Sequence, residues 1–372
     1  MKILAQISRI LVGVLFIISG FIKANDPLGF SYKLKEYFEV FHMPWLGSAA
    51  LMLAILICAA EIGLGVALLV GAKMNFTAWS LLLMILFFTW LTFYSWYFNK
   101  VTDCGCFGDA LHLTPYQSFM KDIVLLVLIL FIFIKRREIT PLMGEKTSTY
   151  VAYAGFIASF SFSVYCYRHL PVIDFRPYAI GKNIRQGMLL PPGAVKDSVT
   201  MVFIYQKDGK QIEMTPDQIK TIDSTYKFID RKDKLIREGD HPAIHDFSIT
   251  SMDGTDITED VLSMDNVFLL VAYDIHKTDE KAQSKINDFV SLAQQKGIEF
   301  IGLTGSSQKD VEAFRHEHNS MFEYYRCDET ALKTMIRSNP GLMLLKKGTV
   351  TAMWHYRDFP TFDEVKTKYL GK

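Results

Sequence analysis

Long apolar runs fill the first part of the chain, each near the roughly 20 residues that a helix needs to cross the hydrocarbon core of a bilayer. The fifth run is the least apolar, because Ser, Thr and Tyr interrupt it. The runs are Ile3 to Ile22, Ser48 to Val70, Phe76 to Phe98, Tyr116 to Ile134 and Ser148 to Cys166. This pattern predicts a membrane all-α helical bundle of four helices plus a fifth, in contact with membrane lipid.

From about residue 244 the pattern changes to short β-forming runs that alternate with amphipathic helical spacing. A strand–helix–strand unit followed by a hairpin is typical of an α/β layer arrangement. The predicted strands are Phe247 to Ser251, Val267 to Tyr273, Glu299 to Leu303, Leu342 to Lys346 and Val350 to His355, and the predicted helices are Ala282 to Gln295 and Gln308 to Glu317. An α/β domain therefore follows the membrane bundle.

Two shorter signals lie between these regions. Apolar and charged residues at helical spacing predict an interfacial helix at Tyr32 to Phe41. The turn Lys207-Asp208-Gly209-Lys210 separates two β-forming runs and predicts a hairpin. The predicted organisation is a four-helix transmembrane domain at 1–135, a cytoplasmic loop with the fifth transmembrane helix at 136–170, a periplasmic connector with the hairpin at 171–243, and the α/β domain at 244–372.

The distribution of charge excludes one class of function and predicts an orientation. A net charge of +1 with no long basic run gives no electrostatic footprint for nucleic acid. Segments 1–9, 71–75 and 135–147 hold seven Lys and Arg residues in 27 positions, whereas segments 23–47 and 99–115 hold four in 42. Since such residues are enriched on the cytoplasmic side, we expect a cytoplasmic N-terminus and a periplasmic α/β domain in a bacterial inner membrane.

Two cysteines one residue apart are the leading candidates for chemistry. Cys104 and Cys106 flank Gly105 in a predicted outer loop. A disulfide across so short a spacing is strained, and strained bridges exchange most readily, which favours a redox role. A structural bridge and a fragment of a metal site remain alternatives, although two thiols do not complete a zinc shell and His112 is the one further ligand nearby. We predict no metal site.

The other candidate residues have weaker signals. Cys166 lies at the outer end of the fifth run, where it could resolve a mixed disulfide, whereas Cys58 lies in mid-span and is expected to pack. Glu61 lies deep in the second run, where a carboxylate needs a partner. Lys23 and Asp26 could pair with each other or act on the loop cysteines, whose pKa a cation would lower; alternatively, Lys23 is an interfacial anchor.

The α/β region resembles the thioredoxin fold. The stretch from Ser338 to Gly348, in which Asn339-Pro340-Gly341 precedes a hydrophobic strand and a Lys-Gly turn, looks like the family's cis-proline segment. The family's redox CxxC follows the strand that ends at Tyr273, but residues 274–280 here contain no cysteine. Cys327 lies elsewhere and is expected to be a packing or surface residue. Because disulfide exchange needs a thiolate, this domain is expected to bind clients.

The first 135 residues resemble the DoxX-like family of membrane proteins, and within it the methylamine utilisation protein MauE branch. The resemblance rests on the motifs Ser19-Gly20-Phe21-Ile22-Lys23, Ala60-Glu61-Ile62-Gly63-Leu64-Gly65, Leu68-Leu69-Val70-Gly71 and Cys104-Gly105-Cys106-Phe107-Gly108. It implies a four-helix domain related to quinone-linked disulfide-forming proteins. A membrane quinone is thus the one cofactor that the resemblance suggests.

Two functional hypotheses remain at this point. In the first, Cys104 and Cys106 exchange disulfides with a periplasmic client protein that the tethered domain presents, which would make the chain a thiol-disulfide oxidoreductase. In the second, the chain is a non-catalytic membrane scaffold or assembly factor with a structural bridge in its loop. An exchanging pair must cycle between thiol and disulfide, whereas a structural bridge need only persist.

Overall fold

Six helices form the N-terminal bundle in the computed structural model, which describes residues 2–101, 105, 107–111, 113–195, 198–207, 209–220, 222–223, 225–237 and 239–371. The helices are α1 (Lys2–Asn25), α2 (Pro27–Val40), α3 (Ala50–Val70), α4 (Met74–Phe98), α5 (Pro115–Lys135) and α6 (Glu145–Arg168). All but α2 are long and apolar enough to cross a membrane. The predicted bundle of four helices and a fifth is confirmed.

Helix α2 begins five residues before the predicted interfacial helix. The Asp26 carboxylate accepts the backbone N–H of Gly29, and Pro27 occupies the first helical position, so a cap and a proline start the helix together. Its buried face carries Phe30, Leu34 and Tyr37. Helix α2 therefore packs into the bundle beside the C-terminal end of α1 as well as having a polar side.

Close contact between α1 and α3 depends on glycines. A Cβ atom at Gly65 would lie 2.8 Å from the carbonyl oxygen of Gly13, and one at Gly20 would lie 3.0 Å from the Cβ of Glu61. Small residues let membrane helices approach closely. The close approach at Gly20 places the C-terminal half of α1 directly against Glu61.

A small antiparallel sheet follows the bundle. After the single-turn helix α7 (Ile184–Gly187) come β1 (Ser198–Lys207), β2 (Lys210–Met214), the short α8 (Pro216–Ile219) and β3 (Lys227–Arg237), in the spatial order β2-β1-β3. The predicted hairpin is confirmed, with Phe203 opposite Met214. The strand β3 was not predicted, because its many charged residues obscure the alternation of apolar and polar residues that indicates a strand.

The C-terminal domain is built on a five-stranded sheet. Its elements are α9 (Thr258–Ser263), β4 (Val267–Val271), α10 (Gln283–Gln295), β5 (Glu299–Thr304), α11 (Gln308–His318), β6 (Tyr324–Arg326), α12 (Glu329–Met335), β7 (Gly341–Lys346), β8 (Thr349–His355) and α13 (Phe362–Val365). The strand order is β6-β5-β4-β7-β8, in which β4, β5 and β6 are parallel and β7 and β8 run antiparallel to their neighbours. A parallel β-α-β unit followed by an antiparallel hairpin and a helix is the predicted thioredoxin-like arrangement, which is confirmed.

Alternate side chains of the central strand face opposite cores. Phe268 and Leu270 pack with α10, whereas Leu269 and Val271 pack with α12 and with Ile184 of α7. Every residue of β4 is buried, as expected for a strand covered on both faces.

The predicted strand at Phe247 to Ser251 is wrong. Only Thr250 pairs there, through isolated bridges to Asp256 and Arg326, while Ile249 is buried in the core. Apolar residues in this stretch fill the core beneath a turn, and the periodicity of that burial imitates a strand. The Asn339–Pro340 peptide bond that precedes β7 is cis.

Candidate functional site

A buried ion pair joins α1 to α3. Lys23 Nζ lies 2.5 Å from Glu61 Oε1, and both side chains are about 3–4% exposed. The rings of Phe30 and Phe88 flank the ammonium group at 5.3 and 5.1 Å. Glu61 therefore has the partner that its depth requires, and Lys23 pairs with Glu61 and not with Asp26.

The second oxygen of Glu61 lacks a hydrogen-bond partner within the described ranges. Desolvating a carboxylate is costly, and one ion pair offsets that cost only in part. The orphaned oxygen belongs to a residue that lines a cavity, so a small hydrogen-bond donor in that cavity would complete its coordination.

A second ion pair lines the same cavity, contributed by α5. Lys121 Nζ is 2.8 Å from Asp122 Oδ1, and Thr92 Oγ1 donates to Asp122 Oδ2 at 2.9 Å. Lys121 and Asp122 were not predicted as site residues. Two charged residues inside the predicted span Tyr116 to Ile134 are nevertheless a signal of a functional position.

The cavity lies among α1, α3, α4 and α5 and has a volume of about 40 Å³. Phe107, the residue after Cys106, forms part of its wall, and Lys121 Nζ lies 5.3 Å from the centre of the Phe107 ring. The loop that carries the cysteine pair therefore adjoins the two ion pairs.

Cys104, Cys106 and His112 lie outside the described residues, but several of their neighbours are described. Gly105 is buried beside α2, where an added Cβ would lie 3.1 Å from Lys33 Cγ. The backbone N–H of Gly108 donates to the Gly105 carbonyl at 3.2 Å. Phe107 faces the cavity, and Asp109 faces the C-terminal domain.

The remaining cysteines are buried. Cys58 lies within α3 and Cys166 at the end of α6, and both are at most 2% exposed. Cys327 is 3% exposed in the α/β core, where burial raises the pKa of its thiol to about 12. A thiol with this pKa is almost wholly protonated at neutral pH and exchanges slowly. In the part of the chain that the structure describes, no group of three His, Cys, Asp or Glu residues has the arrangement of a metal site.

Arg337 connects the α/β domain to two segments of the bundle, the start of α2 and the loop before α5. Its Nε donates to Asp26 Oδ2 at 2.8 Å and to Oδ1 at 3.1 Å, while Nη2 lies 3.1 Å from Asp109 Oδ2. The guanidinium is 7% exposed. Burial disfavours its charge, but the attraction of Asp26 and then Asp109 outweighs this and raises the pKa of Arg337 above its ordinary value.

The pKa of Asp26 is shifted in the direction expected for the acidic partner of Arg337. Burial would raise the pKa of its carboxyl group, but the attraction of Arg337, and then of Arg176, lowers that pKa below its ordinary value. Of the possibilities that the sequence left open for Asp26, an ion pair with Lys23 is not the arrangement seen, since Asp26 pairs with Arg337. Sequence reasoning missed Arg337 because 311 residues separate it from Asp26 and no local pattern marks it.

The Arg337 contacts lie at the end of the sheet that carries the cis proline. Arg337 lies three residues before the cis proline, and Asn339 Nδ2 donates to the carbonyl of Asp274 at 2.7 Å. Asp274 follows the strand after which the thioredoxin family places its CxxC. Tyr273, at the end of that strand, accepts a hydrogen bond from the hydroxyl of Tyr32 in α2 at 3.4 Å. The family's redox end thus faces the membrane domain.

Together these features define a multi-pass membrane protein in which a helical bundle carries a thioredoxin-like domain. Residues 1–135 match the family model described as methylamine utilisation protein MauE, which confirms the predicted resemblance. Residues 199–238, which contain most of the small sheet, match a domain of unknown function, DUF8463.

One curated relative is Protein TlpB of Flavobacterium psychrophilum, 26% identical over 128 residues. The match covers 34% of this chain and 35% of that protein, so the chain spans about a third of the relative's length.

Similar solved structures cover about a third of the chain. A putative protein disulfide isomerase from Bacteroides thetaiotaomicron has 15% identity and a TM-score of 0.27, covering 32% of this chain and 80% of that one. A thiol:disulfide interchange protein of the thioredoxin family from Chlorobium tepidum has the same identity and TM-score, covering 34% and 94%. The thioredoxin-like assignment of the domain itself rests on its strand order and its crossover.

The quinone that the family resemblance implies does not fit the cavity between the ion pairs. An apolar cavity that holds a benzene ring has a volume of about 150 Å³. The cavity here has about 40 Å³, which suits small hydrogen-bonding molecules such as water. The polar groups present would suit a quinone oxygen, but the space would not admit its ring.

Proposed function

We propose that this protein is a redox-associated inner-membrane protein that exchanges disulfides with periplasmic clients through Cys104 and Cys106. The observation that carries the proposal is the contact of Arg337 with Asp109. Asp109 lies three residues after Cys106, so the thioredoxin-like domain directs its family's redox end toward the loop that carries the chain's own cysteine pair. The MauE match over residues 1–135 includes this loop and supports the same assignment.

The reaction needs only the two cysteine pairs. A client thiolate attacks one sulfur of the Cys104–Cys106 disulfide, and the other sulfur leaves as a thiolate. The second client thiolate then attacks the client sulfur of this mixed disulfide. The client loses two electrons and gains a disulfide, while Cys104 and Cys106 gain those electrons and become thiols after taking up two protons.

The thioredoxin-like domain supplies binding and not chemistry. Residues 274–280 contain no cysteine, and Cys327 is a buried thiol with a raised pKa. A domain that holds a client close to the membrane raises the effective concentration of client thiols at the loop. The distribution of Lys and Arg supports a periplasmic location of the loop and the domain, with the N-terminus in the cytoplasm.

A second candidate function is a membrane scaffold or assembly factor in which the cysteine pair is a structural bridge. Its specific support is the same lack of cysteine at the family's redox position in the domain. In that case the domain would dock partners, and the loop bridge would hold Asp109 in place for Arg337.

The deciding experiment is a trapping assay with Cys106→Ser in native membranes. If the pair exchanges, Cys104 attacks or retains a client sulfur that cannot be resolved, and we expect a mixed disulfide visible on non-reducing gels. The pair should also interconvert between thiol and disulfide across a titration with dithiothreitol. Cys327→Ser is the matched control and should trap nothing.

Two results would refute the exchange reaction. A pair that stays oxidised until the protein unfolds would support the structural bridge. Adducts that form equally in Cys327→Ser would mean that trapping reflects adventitious oxidation.

A further inference from the structure

The two faces of the small sheet β2-β1-β3 differ in burial. On one face, the side chains of Val202 and Ile204 in β1 are 6% and 7% exposed. The residues between and beside them point to the other face, because successive side chains of a strand alternate. On that face Met201 is 44% exposed and Phe228 is 52% exposed. One apolar face of the sheet is therefore covered, and the other is open.

The strand register shows which side chains share the open face. Phe203 lies opposite Met214 of β2. Tyr205 lies opposite Ile212 of β2 and Phe228 of β3, and residues that lie opposite each other point to the same face. The centre of the Phe228 ring is 5.7 Å from that of Tyr205 and 6.4 Å from that of Phe203. The open face consists of Met201, Phe203, Tyr205, Ile212, Met214 and Phe228.

The open face belongs to none of the buried apolar clusters among the described residues. A sheet with an apolar face reaches a stable arrangement when that face packs against another layer of structure. A group of exposed apolar side chains with a polar rim marks an interaction surface. The open face therefore calls for a covering layer from outside the described part of the chain.

Positive charge lies at one end of the open face. Lys207 and Lys210 lie opposite each other at the turn of the hairpin, and Lys207 is on the same face as Tyr205 because it follows two positions later in β1. At the other end Arg231 pairs with Asp233 at 3.4 Å, so the charge there is balanced. The two ammonium groups at the turn favour a partner with acidic residues.

The small sheet is attached to the α/β domain at the end opposite the membrane bundle. The backbone N–H of Ile184 donates to the carbonyl of Gly348, in the turn after β7, at 2.8 Å. Gly187 accepts the N–H of Ile244 at 2.9 Å, so the segments that lead into and out of the small sheet meet there. Arg337 contacts the bundle before β7 begins, and the six residues of this strand span roughly 20 Å. This attachment favours a partner in the aqueous phase over the bilayer around the bundle.

We propose that the open face binds an amphipathic helix of a partner protein, with the apolar side of the helix on the face and its acidic residues beside Lys207 and Lys210. A helix is the layer that covers the apolar face of a sheet, whereas an added strand would pair with an edge. From Met201 to Lys207 the face is about 20 Å long, which matches about 13 helical residues. This docking site goes beyond the proposed disulfide exchange, because it involves none of the cysteines.

Binding of a synthetic peptide to the full chain in phosphatidylcholine nanodiscs tests the site. The probe is a fluorescent peptide of about 14 residues with Leu at helical spacing on one side and Glu at the other positions, and its counterpart has Lys in place of every Glu. Fluorescence anisotropy measures both affinities. We expect the Glu peptide to bind at least about tenfold more tightly than the Lys peptide.

Two variants remove the two features that the site uses. Phe228→Ser combined with Met201→Ser should weaken binding of the Glu peptide at least about tenfold, because the open face loses a ring and a second large side chain. Lys207→Glu combined with Lys210→Glu should reverse the preference between the two peptides, because the positive end of the face becomes negative.

Met321→Ser is the matched control, since Met321 is an exposed apolar side chain of the α/β domain outside the small sheet. It should leave both affinities unchanged. Hydrogen exchange of the β1 amides should be the same in all variants, which separates loss of the site from loss of the sheet. If the Phe228 and Met201 variant loses this protection, the charge-reversed variant decides the test.

Failure of the Glu peptide to bind, equal binding of the two peptides, or binding that the variants leave unchanged would overturn the site. A dimer of the wild-type chain that Phe228→Ser with Met201→Ser abolishes would also overturn it, because a second copy would then cover the face. Protection of β1 and β3 amides that arises only in nanodiscs containing phosphatidylglycerol would assign the face to the membrane and would overturn the proposal as well.

Discussion

Two buried ion pairs in this protein are similar in composition but differ in what surrounds them. Lys23 and Glu61 lie between α1 and α3, whose backbones also meet at glycines over a long apolar contact. Arg337, Asp26 and Asp109 lie at the boundary between the bundle and the α/β domain, where Leu170, just after α6, also packs against the core of the domain. The first pair lies within a tightly packed helix contact, whereas the second lies among mostly polar contacts between two separate units.

The difference shows that burial alone does not tell what an ion pair does. Desolvation makes each pair costly to form and costlier still to break. Within the bundle, breaking the pair would destabilise helices that stay packed. At the boundary, breaking it would remove a contact between two units that each have buried apolar clusters of their own.

The largest expected effect comes from removing the cation inside the bundle. Lys23→Met leaves the Glu61 carboxylate buried without its partner, and we expect a loss of about 3–5 kcal/mol in the free energy of unfolding. Adding Glu61→Leu should restore most of this loss, because the uncompensated charge is gone. Circular dichroism during denaturation in mixed detergent micelles would measure both variants.

Lys33→Met is a suitable control, because Lys33 pairs with Glu36 in a half-exposed position. Its effect should stay below about 1 kcal/mol. Equal stability of the single and double variants at Lys23 and Glu61 would show that the charge of Glu61 is compensated by other groups.

An intermediate effect is expected from pH at the boundary. The pKa of Asp26 is lowered in the docked state by Arg337 and Arg176, so docking is stabilised above the ordinary carboxyl pKa. This stabilisation is lost as pH falls through the lowered pKa of Asp26. Hydrogen exchange at 273–279, corrected for the intrinsic rate, should be unchanged from pH 8 to about pH 5 and rise below about pH 4.

Asp26→Asn sharpens this test. Its boundary segment should already exchange faster at pH 7 and should show no further rise on acidification. A rise of the same size in wild type and variant would assign the acid effect to another group.

The smallest effect is expected at the exposed edge of the boundary. Asp358→Asn removes the partner of His169, but exposed pairs contribute only about 0–1 kcal/mol. Boundary exchange should therefore change less than about threefold. A larger change would mean that this edge contributes more to the docking of the domain than the exposure of His169 and Asp358 indicates.

The sequence predicted those features whose signal is local. Apolar runs of the right length gave all five spans, and the turn at Asp208-Gly209 gave the hairpin. The strand at Phe247 to Ser251 failed because burial beneath a turn has the same periodicity as a strand. The strand β3 was missed because charged side chains hide its pairing.

The prediction of site residues was also restricted to features with a local signal in the sequence. The depth of Glu61 predicted that it needs a partner, but the choice between Lys23 and other groups depends on how α1 packs on α3. The role of Arg337 depends on folding together residues more than 300 positions apart, and no spacing in the sequence reports such a contact. Whether Cys104 and Cys106 exchange disulfides stays a prediction.

The two carboxylates that Arg337 binds also bear on how the chain is made. Asp26 follows α1 and Asp109 precedes α5, so they reach the same side of the membrane only when α3 and α4 have both crossed. The domain that carries Arg337 is synthesised later than these helices, after they have left the ribosome. Its docking site is therefore complete only in a chain whose helices have inserted with the correct topology. Docking of the domain thus depends on correct membrane insertion of the helices that precede it.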